Sequence, residues 1–196
     1  MEQEEKVLNP QESLRVIRET IDLAKRGVGE SGFQFLWWGW LVVIACLAEY
    51  YLLVNGYGVR AHMAWMLMPV VGAPVSVMYE WRRDRKHKER NTVREWYGYL
   101  WLGFGISLIL ALVTSILCQT PPVPMVLIVA GFATFMSGIL IRFRPLVFGG
   151  IVLWVGAALC LAVAVQEHSL VEAGAIVLGY LVPGYMLNRK TRRSHV

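Results

Sequence analysis

Charge is scarce in this chain: Asp, Glu, Lys and Arg supply 17% of 196 residues, against 56% hydrophobic residues and a mean hydropathy of +0.48. A soluble helical core would leave a polar stripe along each helix, and the continuous apolar runs here have none. Cysteine is limited to Cys46, Cys118 and Cys160, an odd number of thiols inside apolar runs, which excludes a disulfide framework and leaves them as small buried groups. No H-E-x-x-H helix, G-x-S-x-G elbow, P-loop or Cys-x-x-Cys pair occurs. The expectation is a non-enzymatic chain with no cofactor and no resident metal. A net charge of +5 would suit nucleic acid, yet no recognition fold accompanies it, so nucleic acid is set aside in favour of anionic lipid headgroups.

What is abundant is apolar length. A hydrocarbon core of roughly 30 Å needs about 20 helical residues, and spans are predicted at 33–54, 62–81, 96–118, 122–141, 146–165 and 170–187. The predicted fold class is therefore all-α, a polytopic bundle of six transmembrane helices over residues 33–187. An amphipathic cytoplasmic helix and hinge at 1–32 precede it, and a basic cytoplasmic tail at 188–196 follows.

Positive charge sets the expected orientation, because cytoplasmic flanks retain Lys and Arg. Five precede span one, and seven lie between spans two and three (Arg82, Arg83, Arg85, Lys86, Lys88, Arg90 and Arg94). Two more, Arg142 and Arg144, separate spans four and five, and four follow span six, leaving Arg60 alone on the other side. Both termini are thus expected inside a bacterial inner membrane. Met1 to Glu5 is acidic and the first apolar run starts near Phe33, so span one reads as a retained anchor rather than a cleaved signal.

The N-terminal segment carries a helix start at Asn9, Pro10 and Glu12, in capping-box relation. Leu14, Ile17, Ile21, Ala24 and Val28 then make an apolar stripe suited to the headgroup layer or to a cytoplasmic protein partner, with dimerisation as a further option. The basic run from Arg82 to Arg90, including Arg83, Arg85, Lys86 and Lys88, is the candidate contact for lipid or partner. Short connections after spans three and five force antiparallel hairpins.

Gly103, Ser107, Ala111 and Ser115 in span three, and Ala130, Thr134 and Gly138 in span four, form small-residue ridges that predict a tight hairpin between these two spans. Tryptophans cluster near span ends, where indoles favour the interface. A weak threefold pattern (Leu36-Trp37-Trp38-Gly39, Leu100-Trp101-Leu102-Gly103, Leu146-Val147-Phe148-Gly149) opens spans one, three and five.

Chemistry is expected where ionisable groups interrupt hydrocarbon, since charge there is costly. Glu49 lies roughly 8 Å before the outer end of span one. Glu172 enters span six from the same side, with His168 just before it and His62 at the start of span two. Such a grouping suits a cation, a proton relay or a mixed nitrogen–oxygen metal site, or else a set of structural and loop residues. Pro69, Gly72 and Pro74 in span two, and Gly174, Gly179, Pro183 and Gly184 in span six, are the helix breakers.

Phe135-Met136-Ser137-Gly138 resembles the G-x-S-G of rhomboid proteases, but Phe135 replaces the glycine and no histidine lies inside a later span, which removes the base. Glu12-Ser13-Leu14, Leu36-Trp37-Trp38-Gly39-Trp40-Leu41 and Val182-Pro183-Gly184-Tyr185 together resemble a family of small uncharacterised bacterial six-span inner-membrane proteins. The resemblance covers nearly the whole chain and implies no activity, so no catalytic or binding residue is carried over. The expected role is an accessory, sensory or scaffold protein, with homo-oligomerisation open. The alternative is a small transporter using Glu49 and Glu172.

Overall fold

The computed structural model describes residues 32–84 and 92–193. Among them every regular element is helical: α1 (Gly32–Val54), α2 (Ala64–Asp84), α3 (Thr92–Cys118), α4 (Val123–Leu140), α5 (Arg144–Leu159), α6 (His168–Ile176) and α7 (Val182–Arg193). A 3-10 turn at Gly58–Met63 leads into α2 and another at Val165–Glu167 leads into α6. The predicted amphipathic helix before residue 32, and Arg85, Lys86, Lys88 and Arg90, lie outside the described residues.

Five helical stretches are long and apolar enough to cross a membrane: Gly32–Val54, Arg60–Arg82, Glu95–Cys118, Val123–Leu140 and Val165–Lys190. The fifth predicted span behaves differently. Helix α5 has 16 residues, about 24 Å at 1.5 Å per residue, and stops at Leu159 instead of continuing to residue 165. Leu161 N–H closes onto Ala158 O at 3.1 Å and Ala162 N–H onto Leu159 O at 2.9 Å, a tightened last turn. The Cys160 carbonyl is taken by the His168 side chain. An apolar run does not distinguish helix from apolar turn, so hydropathy alone overran this boundary.

Three helix ends close in one way. Tyr57 N–H reaches Leu52 O, Thr120 N–H reaches Ser115 O and Phe143 N–H reaches Gly138 O, each spanning five residues. The residue before each donor is left-handed: Gly56 at φ 80°, Gln119 at 53° and Arg142 at 50°. This is the Schellman closure, which satisfies carbonyls that a helix end leaves without donors.

Packing places α1, α5 and the α6–α7 rod at the centre, with α2 laid on α1 and α3 on α4. Phe35, Leu127, Leu146 and Leu153 are the largest apolar side chains sealed in the core. Most of α2 and α3 faces outward through large apolar residues such as Leu67, Val70, Ile109 and Ile116, as suits lipid contact.

Spans three and four do pack against each other, but the closest backbone approach of α4 lies elsewhere. Helix α4 packs closely on α5: a Cβ on Gly138 would lie 2.6 Å from Val147 N, and one on Gly150 2.7 Å from Gly131 O. Glycines on both helices let these backbones meet, and no such match exists on α3, where Gly103 faces open space. Near their connection α3 and α4 touch through Ser115 Oγ and Met125 Sδ at 3.6 Å. The Trp101 ring of α3 lies edge-on to Phe35, 5.9 Å between centroids.

Between α6 and α7 the rod widens into a π turn at Val177–Leu181. An α-helix would direct the residue 183 N–H at the Gly179 carbonyl, and Pro183 has none. Gly149 of α5 packs at that carbonyl so closely that any Cβ there would overlap it.

Candidate functional site

Five of the seven buried residues of α1, Phe35, Gly39, Val43, Cys46 and Glu49, recur at steps of three and four, so one stripe carries all five into the bundle. Glu49 is therefore in phase with the core and is 5% exposed. On the facing rod Ser169, Glu172, Ile176 and Tyr180 recur in the same way and are buried. Helices α1 and α6 run antiparallel, and two polar rungs join them. Ser169 Oγ donates to Glu49 Oε2 at 2.6 Å. The buried Cys46 thiol stands beside the buried Glu172 carboxyl. Since Cys46 and Glu49 are one turn apart, as are Ser169 and Glu172, the two carboxyls sit on successive rungs.

The connection 55–63 covers this site. Ala61 is fully buried and pins the 3-10 turn, bringing His62 Nδ1 to 2.5 Å from Glu49 Oε1. The His62 side chain is 59% exposed while that of Glu49 is 6% exposed, so one contact joins an exposed group to a buried one. His168 stands one turn before Glu172. Its Nε2 lies 2.9 Å from Cys160 O, and a carbonyl only accepts, so Nε2 carries the hydrogen. Its Nδ1 is buried without a partner.

All four predicted site residues thus lie at one end of the bundle. Glu49 and His62 touch, Glu172 stands beside Glu49 on the next rung, and His168 binds the end of α5 instead of a carboxyl. Sequence reading did not single out Ser169 and Cys46 as partners. The available signal was phase: Ser169 precedes Glu172 by three residues and Cys46 precedes Glu49 by three. Arg82 is exposed at the far end of α2, and Arg83 follows it in the same helix.

Among the described residues no group of three or more His, Cys, Asp and Glu side chains is arranged to hold a metal ion. Surface grooves lie elsewhere, one along Ala73, Val77 and Trp81 of α2 and one between Ser107 of α3 and Met125 of α4. Ser137, in the protease-like tetrapeptide, is sealed and its hydroxyl has no hydrogen-bond partner, so no base touches it. No protein-family model, curated protein or solved structure matches this chain.

Proposed function

We propose that the chain is a six-span, non-enzymatic protein of the bacterial inner membrane with both termini cytoplasmic. In this reading Glu49 and Glu172 bind a proton or monovalent cation arriving from the outer face, as the coupling site of a small transporter. The observation that carries it is the placement of Glu49, turned into the bundle and hydrogen-bonded to His62 and Ser169. A carboxylate serving only as an interfacial residue would extend to the lipid edge. Two carboxyls one turn apart in a dry interior are costly when both are charged, and a bound proton or cation offsets that charge.

The sixth crossing rests on chain direction. Leu127 of α4 and Ala175 of α6 both pack at Gly156, and α4 and the α6–α7 rod run parallel, so α5 returns the chain between them. Helix α5 itself is about 24 Å long, and the apolar turn Cys160–Ala164 continues from its end.

A second reading, an accessory or scaffold role through the basic face that includes Arg82, is favoured by the concentration of Lys and Arg in alternate connections. Reconstitution separates the two. An imposed inward gradient of protons or alkali cations across proteoliposomes should drive ion entry that Glu49→Gln and Glu172→Gln abolish. Entry equal in parent and variants would remove the transport reading.

A further inference from the structure

We propose that His62 is the proton-transfer group at the mouth of the carboxyl site and that the ion bound there is a proton. This inference rests on the reading of Glu49 as an ion site, and it names the ion and its route.

The chemistry of the donors favours a proton over an alkali cation. Hard cations take six or more oxygen ligands, whereas imidazole nitrogen and thiol are poor partners for them. Here Glu49 Oε1 faces an imidazole nitrogen, Oε2 accepts from Ser169, and Glu172 faces the Cys46 thiol. Each carboxyl already has a protein partner, so a proton can be accommodated without opening a coordination shell.

The route follows from exposure. Imidazole has two nitrogens that exchange roles with tautomer. Nδ1 of His62 meets Glu49 at 2.5 Å, and the ring is 59% exposed. A proton from water or buffer acid binds Nε2; the Nδ1–H bond then breaks as an O–H bond forms on Glu49 Oε1. The ring is left neutral with its hydrogen on Nε2 and resets by exchange with water. Before transfer Nδ1–H donates to a carboxylate, and afterwards the carboxylic acid donates to Nδ1, so one contact serves both states.

The groups around the relay are few. Arg60 lies on the same 3-10 turn and Tyr57 just before it, both exposed; Glu49 and Cys46 come from α1, which also carries Tyr50 and Tyr51. From the rod come Ser169, Glu172 and His168, with exposed Glu167 at its head.

The test is time-resolved infrared spectroscopy of the carboxylic-acid band after an external pH jump, on the full chain in vesicles. Glu49→Gln should delete part of the band in the parent. His62→Ala should slow its appearance, on the order of a hundredfold, and added imidazole should restore the rate. His62→Gln, which retains a donor toward Glu49, should stay slow. A parent-like rate in His62→Ala, or a fast His62→Gln beside a slow, unrescued His62→Ala, would overturn the relay and leave the ion site standing. A band unchanged in Glu49→Gln would remove the ion site and the relay together.

Discussion

Removing the Ser169 hydroxyl tests the α1–α6 rung in isolation. In the parent, Ser169 Oγ donates to Glu49 Oε2 at 2.6 Å between two buried side chains. A hydrogen bond to a charged group contributes about 1.5–3 kcal/mol, and an unpaired buried acceptor costs a similar amount, so Ser169→Ala should cost about 2 kcal/mol. With Glu49→Gln in place the acceptor is a neutral amide oxygen, and the same deletion should cost about 1 kcal/mol. The double-mutant cycle therefore predicts a coupling of about 1 kcal/mol. Reversible unfolding by dodecyl sulfate in mixed micelles, followed by circular dichroism at alkaline pH, gives all four stabilities. Additivity within about 0.3 kcal/mol would refute the rung.

Three further outcomes follow from packing and direction. Gly149→Ala, whose Cβ would overlap the Gly179 carbonyl, should cost about 1–3 kcal/mol in the same unfolding assay, whereas Gly103→Ala meets open space and should be neutral or stabilising by up to about 1 kcal/mol. Gly56→Ala forces a left-handed φ of 80° on a residue with a Cβ and should cost about 1–2 kcal/mol, seen as a lower unfolding midpoint. An impermeant thiol reagent on intact cells should label Gln166→Cys and leave Lys88→Cys unlabelled; the reverse pattern would invert the proposed orientation.

The apolar lengths were legible because hydrocarbon thickness constrains them directly, and α1, α3 and α4 begin and end close to the predicted limits. Helix pairing was not legible. The ridge through Gly103 and the ridge through Gly138 look alike along the sequence, but only the second lies on a helix whose glycines meet neighbouring backbone, Gly138 at Val147 and Gly131 at Gly150 of α5. The end of α5 was hidden because Cys160–Ala164 is as apolar as the helix before it, and the His168 side chain that takes the Cys160 carbonyl is remote in the pattern. Glu49 and Glu172 stood out as charges within apolar runs. Their alignment across α1 and α6 depends on helix phase and antiparallel register, and the three-residue spacings of Ser169 and Cys46 become readable as rungs only once that register is known. The π turn at Val177–Leu181 has a partial signal in Gly179 and Pro183, which read equally well as a simple kink.

The ion site at Glu49 is checked by a thermal-stability screen of the purified chain over pH and alkali cations, run beside Glu49→Gln. A ligand held only by the folded state raises apparent stability by about 2.7 kcal/mol at a hundred times its dissociation constant. The parent midpoint should depend on pH in a way that Glu49→Gln loses, with little response to sodium or potassium in either chain. Identical pH profiles in parent and variant would contradict a buried ion site at Glu49.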